Sequence, residues 1–182
     1  MVNILVIGSG GREHALSWKL SQSSKVETVF TAPGNGGTSV NVPIDVNDLD
    51  GLAEFAQKNN CFTVVGPEDP LAAGIVDKFN QLNLKVFGPS QAAAQLESSK
   101  IWAKNFMKRN NIPTARFEIF DDAQKAIEYV KSIDFNVVVK ADGLAAGKGV
   151  IVCNSDDEAI SAIETILVKK TFGDAGNKII VE

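Results

Sequence analysis

Residues 4–30 read ILVIGSGGREHALSWKLSQSSKVETVF, and the order of patterns in that stretch decides the fold. A four-residue apolar run, Ile4 to Ile7, leads through a glycine turn into a helical pattern from about Glu13 to Gln22. A second apolar run follows from Val26 to Phe30. Strand, helix, strand at this spacing is a βαβ unit. The rhythm continues with a helix near Leu49 to Asn59, a strand Phe62 to Val65, a helix Leu71 to Leu82 and a short strand at Val86 and Phe87. The alternation βαβαβαβ predicts an α/β fold with a doubly wound parallel sheet.

Beyond residue 90 the rhythm breaks. The spacing predicts one long helical stretch from Ser90 to Asn111, stopped by Asn110, Asn111 and Pro113. A second, α+β unit then carries a strand near Arg116 to Ile119, a helix Asp122 to Ser132, a lysine-bearing hairpin and a helix Asp156 to Lys169 with an acidic first turn. A strand from Lys178 to Val181 runs to Glu182 without a turn or partner of its own, so the chain is expected to stop mid-domain. The predicted division is 1–100 for the first domain, 101–113 for a linking helix and 114–182 for the second.

The hairpin reads VVVKADGLAAGKG from Val137 to Gly149. Lys140 ends an apolar strand, where desolvation is unfavourable unless an anion meets the amine. Gly143, Gly147 and Gly149 free the backbone to approach phosphates, and Lys148 adds a second amine. This is not a P-loop, because three residues separate Gly143 from Gly147 and Gly149 stands where a Ser or Thr should hold Mg²⁺. Val150 to Cys153 again has strand character, which favours a hairpin over a strand-loop-helix. A glycine-rich hairpin with two solvated lysines is the alternative.

Three further loops follow strands, on the rim where open α/β sheets bind ligands. The first, Gly8 to His14, opens a helix and offers N–H groups and Arg12 to an anion; an exposed first-turn arginine is the plainer reading. It is a partial dinucleotide fingerprint only, since Glu13 stands at the third glycine and no acid follows the second strand, which disfavours a nicotinamide-dependent oxidoreductase. The second loop is Pro33-Gly34-Asn35-Gly36-Gly37, and the third is Gly66-Pro67-Glu68-Asp69-Pro70. Glu68 and Asp69 suit ribose hydroxyls or an amine, or else cap the helix ahead of Leu71. His14, the single histidine, has no partner His or Cys for a zinc site.

With 182 residues, 45% hydrophobic and 22% charged, the chain suffices for one large domain or two small ones. A net charge of −4 lacks the basic face that non-specific nucleic-acid binding requires. Cys61 and Cys153 lie in separate apolar runs and read as reduced, buried thiols. The short apolar run at the N-terminus is bounded by Asn3 and Gly8, so neither a signal peptide nor a membrane span is expected, in keeping with the cytoplasm.

Taken in order, GSGGREHA (Gly8 to Ala15), PGNGG (Pro33 to Gly37), GPEDPL (Gly66 to Leu71), FGP (Phe87 to Pro89), SSK (Ser98 to Lys100), KADGLAAGKGV (Lys140 to Val150) and FGDAG (Phe172 to Gly176) resemble the phosphoribosylamine–glycine ligases, or glycinamide ribonucleotide synthetases, of the ATP-grasp superfamily. The resemblance spans nearly the whole chain. It implies a Rossmann-like pre-ATP-grasp domain followed by the small lid subdomain of an incomplete ATP-grasp domain. It also implies ATP-dependent joining of glycine to 5-phosphoribosylamine in de novo purine biosynthesis, with no nucleic-acid or membrane partner.

On this resemblance, Lys100 and Lys140 meet ATP, the Gly143 to Gly149 loop with Lys148 covers the phosphates, and Glu182 begins the segment that reaches adenine. Gly10, Gly11, Arg12, Glu13, Pro33, Gly34, Asn35, Gly66, Pro67, Glu68 and Asp69 face phosphoribosylamine, and Arg12 and Lys148 carry the catalytic burden. Helical spacing alone makes Lys100, Lys104 and Lys108 a solvated stripe. The Mg²⁺ or Mn²⁺ ligands and the glycine-binding part are expected beyond Glu182. The chain alone is therefore expected not to turn over, and a non-catalytic nucleotide-binding module is the alternative.

Overall fold

The computed structural model describes residues 1–144 and 148–182. The chain divides into two units, Met1–Ala94 and Gln95–Glu182, each with a core of its own. The first contains β1 (Val2–Gly8), α1 (Gly11–Ser21), β2 (Val26–Pro33), β3 (Val40–Asn41), α2 (Leu49–Lys58), β4 (Cys61–Val65), α3 (Glu68–Ala72), α4 (Ile75–Gln81) and β5 (Lys85–Phe87). Its five strands run parallel in the order β3-β2-β1-β4-β5.

Helices cover both faces of this sheet, which is why β1 is apolar without alternation from Ile4 to Ile7. Leu5 and Ile7 pack with Leu52 and Ala56 of α2 and with Ile75 and Phe79 of α4. On the other face α1 lies on β1 and β2, and its Ser17 shares a buried 2.9 Å hydroxyl hydrogen bond with Thr31. The expected doubly wound α/β sheet is what forms. Strand order reverses between β1 and β4, and the carboxyl ends of those strands frame the crevice where such sheets place ligands.

The second unit begins within α5 (Gln91–Ser98) and continues through α6 (Lys100–Arg109), β6 (Glu118–Phe120), α7 (Ala123–Lys131), β7 (Val137–Ala141), β8 (Val150–Cys153), α8 (Asp156–Ile163) and β9 (Ile179–Val181). A π-helical turn, Glu164–Val168, extends α8, and a 3-10 turn, Gly173–Asn177, precedes β9. The strands form an antiparallel sheet in the order β6-β9-β7-β8. Val137, Val139, Ala141, Ile179 and Val181 bury one face of it against Ala126 and Val130 of α7 and Ala159 and Ile163 of α8.

The lysine hairpin is antiparallel, with Lys140 opposite Val150. Three expectations are corrected. The helix predicted over Ser90 to Asn111 breaks at Ser99, which is extended and accepts the Trp102 N–H at 3.0 Å, because a serine side chain satisfies a new helix start better than it continues an old one. The helix predicted over Leu71 to Leu82 divides at Gly74, whose φ of +89° no helix interior allows. The strand expected to end without a partner is instead an inner strand, with Val181 opposite Glu118 on one side and Val139 on the other. Among the described residues no helix is long and apolar enough to cross a membrane.

Candidate functional site

In the first unit, every rim residue named from the sequence lies at the carboxyl edge of the sheet. Gly10, Gly11 and Arg12 open α1. Pro33 ends β2 and is followed by Gly34 and Asn35, while Gly66 and Pro67 join β4 to α3, whose first turn holds Glu68 and Asp69. Hydrogen bonds tie the three loops together. The Gly34 N–H donates to the Gly8 carbonyl at 3.2 Å and the Gly66 N–H to the Ile7 carbonyl at 3.0 Å. Asn35 Nδ2 donates to the Ser9 and Gly10 carbonyls at 2.9 and 3.2 Å. Pro67 stands at the cap of α3 and neither Glu68 nor Asp69 caps it; both side chains are exposed.

Glu13 is the centre of this rim. Only 3% exposed, it accepts the Gly10 N–H at 2.7 Å and Arg12 Nε at 2.7 Å. A methyl group placed on Gly8 would come within 2.4 Å of the Glu13 side chain, and one on Gly66 within 2.1 Å of Oε1. The residue that spoils the dinucleotide fingerprint therefore uses the space the glycines leave. Its carboxylate is committed to Gly10 and Arg12. The Arg12 guanidinium, more than half exposed, also lies 3.7 Å from Glu68. The hydrogen bond Arg12 donates to Glu13, supported by both carboxylate charges, raises Arg12 above its ordinary value. With Nε held by Glu13 and Nη2 beside Glu68, the rest of the Arg12 guanidinium is left exposed. His14 is exposed and its ring packs on Gly37, a structural contact.

In the second unit, Lys140 sits on the sheet face opposite the core. Glu182 forms ion pairs with both Lys140 and Lys104, and Lys100 Nζ donates to the Gly143 carbonyl at 3.0 Å. These three lysines line a cavity of about 260 Å³, whose apolar wall includes Met107, Val150 and Ile180. Burial lowers Lys140 below its ordinary value, and repulsion from Lys104 and Lys100 lowers it further; burial alone lowers Lys104. Amines that are desolvated and crowded by like charge favour a polyanion beside them, and the apolar wall suits a flat base. Lys148 is exposed, Gly149 is buried with its carbonyl accepting the Ala141 N–H at 2.8 Å, and Gly147 lies outside the described residues.

The solvated stripe read from helical spacing is corrected at Lys104, which is 9% exposed, while Lys108 is exposed. Ala103 and Met107, adjacent to Lys104 on the same helical face, are the sequence signal of burial. Beyond Glu182, Lys104 finds Thr114 Oγ1 at 2.8 Å and the Phe117 ring at 5.4 Å, which offset its desolvation. Among the described residues no three His, Cys, Asp or Glu side chains come together as a metal site.

Two family models match in succession: phosphoribosylglycinamide synthetase, N domain, over residues 2–97, and phosphoribosylglycinamide synthetase, ATP-grasp (A) domain, over residues 98–182. The phosphoribosylamine–glycine ligase of Neisseria meningitidis serogroup B is 56% identical over 100% of this chain and 44% of its own length. The crystal structure of phosphoribosylamine–glycine ligase from Thermotoga maritima aligns with a TM-score of 0.77 at 31% identity, over 100% of this chain and 43% of that one. The biotin carboxylase domain of Hydrogenobacter thermophilus 2-oxoglutarate carboxylase, solved with MgADP, aligns with a TM-score of 0.75 at 17% identity, over 99% of this chain and 43% of that one; at that identity the likeness is one of fold. This chain thus spans less than half the length of the relatives it matches.

Proposed function

Because this chain belongs to the phosphoribosylglycinamide synthetase family, we propose that it supplies the 5-phosphoribosylamine platform and part of the ATP site of a cytoplasmic phosphoribosylamine–glycine ligase. The in-order match of both family segments over residues 2–182 carries this reading. The reaction joins glycine to 5-phosphoribosylamine with release of ADP and phosphate, a step of de novo purine biosynthesis.

The chemistry starts from the inertness of a carboxylate, whose leaving group under amine attack would be oxide. Transfer of the γ-phosphoryl group of ATP to a glycine carboxylate oxygen releases ADP and gives glycyl phosphate. The phosphoribosylamine nitrogen then attacks the carbonyl carbon, phosphate leaves with the electrons of the C–O bond, and loss of a proton from nitrogen completes the amide. Most of such catalysis is positioning and charge neutralisation. Lys100 and Lys140, beside an apolar-walled cavity, would hold the nucleotide, with Lys148 meeting the phosphate in transit. Arg12, with Nε fixed by Glu13, would grip the ribose phosphate, and the exposed carboxylates of Glu68 and Asp69 the ribose hydroxyls. A divalent cation, when bound, neutralises phosphate charge; its protein ligands would lie outside the described residues.

The test is made on the full-length enzyme. ADP release should require ATP, glycine and phosphoribosylamine together. ADP release that continues unchanged without glycine would overturn the assignment.

A further inference from the structure

Three motifs separated in the sequence, Ser98 to Lys100, Lys140 to Gly143 and Phe172 to Gly176, meet at one point in the second unit, and the reading above uses only their lysines. Ser99 Oγ donates to Asp142 Oδ1 at 3.1 Å, and the Ile101 N–H donates to the same oxygen at 3.1 Å. The first turn of α6 is thus capped twice. Ser99 caps it from within by accepting the Trp102 N–H, and Asp142 caps it from just past the end of β7, the strand that carries Lys140. An anion at that position is also favoured by the helix dipole.

One residue further along on each side of the contact, Lys100 Nζ donates to the Gly143 carbonyl. On its other side, the position a Gly143 side chain would occupy is 3.3 Å from the Ala175 methyl. The Asp142 N–H donates to the Lys178 carbonyl at 3.0 Å. Asp142 is thereby held from its backbone and holds α6 through its carboxylate. The backbone of Lys100 lies between Ser99 and Ile101, the two residues that Asp142 binds.

We propose that Asp142 is a positioning residue: by clamping Ser99 and Ile101 it sets the place of Lys100 beside Lys140, so that the two ammonium groups face one nucleotide phosphate chain. The proposal rests on the nucleotide site assigned above. Asp142 touches no substrate and acts through Lys100.

The experiment is ATP titration by calorimetry of the full-length enzyme and its variants, with thermal melting alongside. Asp142→Ala should raise the ATP Kd about tenfold and the KM for ATP similarly, with the KM for glycine unchanged. Asp142→Asn keeps an acceptor for the Ile101 N–H and should recover part of the affinity. In a Lys100→Met background, Asp142→Ala should change the ATP Kd by less than twofold, because the residue it positions is already gone. A folded Asp142→Ala protein with a lowered Tm and an ATP Kd within twofold of wild type would reduce Asp142 to a helix cap and overturn the proposal. Full multiplication of the Lys100→Met and Asp142→Ala effects would overturn it as well. Failure of the wild-type enzyme to bind ATP at all removes the assigned function and this role with it, an outcome distinct from the other two.

Discussion

Glu13 places a buried carboxylate where Gly8, Gly10 and Gly66 converge. This makes glycine a steric requirement at Gly66, where an added methyl would lie 2.1 Å from Oε1, whereas nothing lies within 4 Å of one on Gly11. Gly66→Ala should therefore destabilise the protein by about 1–3 kcal/mol, while Gly11→Ala, at the first position of α1, should be neutral or stabilising; urea unfolding of both variants decides it. The lysines differ in the same way. Lys140 is fixed on a strand and paired with Glu182, and Lys148 is exposed beyond the loop. In the full-length enzyme, Lys140→Met should weaken ATP binding more than Lys148→Met, and Lys148→Met should lower turnover more, each by roughly 1.5–3 kcal/mol. Changes within about 0.5 kcal/mol for both would remove the hairpin from the mechanism. Burial pushes the Cys61 thiol up to about 11. Since the raised value belongs to the folded state, the stability from keeping the thiol neutral is complete below the ordinary value of 9.0 and is lost as pH rises through about 11. Between pH 9 and 11, wild type should lose stability relative to Cys61→Ala by up to roughly 2 kcal/mol, measured as the difference between urea midpoints at the two pH values.

At the scale of elements, side-chain caps decide where helices begin. Asp48, Ser99, Asp122 and Ser155 each accept an N–H from the first turn of the helix that follows. Only at Ser99 does the cap interrupt a continuous helical pattern, and that interruption brings Lys100 to the start of α6. Asp122 accepts the Lys125 N–H at 2.9 Å on an exposed helix start. Asp122→Ala should lower stability by about 0.5–2 kcal/mol and leave the ATP Kd unchanged. A thermal melt and a nucleotide titration on the same preparation check both halves of that expectation. The helix predicted to run to Lys169 keeps its length but changes hand-hold, passing from α8 into a wider turn at Glu164–Val168. Ile166 and Leu167 of that turn are buried in the core.

At the scale of the molecule, each unit closes its own core. Met1–Ala94 expressed alone should fold and unfold cooperatively, since Leu5, Ile7, Leu52, Ile75 and Phe79 find their partners inside it. A far-UV dichroism melt without a sigmoidal transition would disprove that. The sequence by itself determined the parallel sheet, the rim of loops after its strands, the lysine hairpin and the family. The first three follow from the two structural periods and from glycine punctuation, which act over a few neighbouring residues, and the family from the order of motifs along the chain. The tertiary structure alone decided that Glu13 is a strut, that Lys104 is buried, that β9 is an inner strand and that Asp142 caps α6. The last three depend on partners far apart in sequence, Lys104 with Glu182, Ile179 with Phe120 and Ala141, and Asp142 with Ser99, and Glu13 on the close approach of Gly66. A buried charge or a strand edge is stable only when a distant group satisfies it, and local pattern carries no record of which group that is.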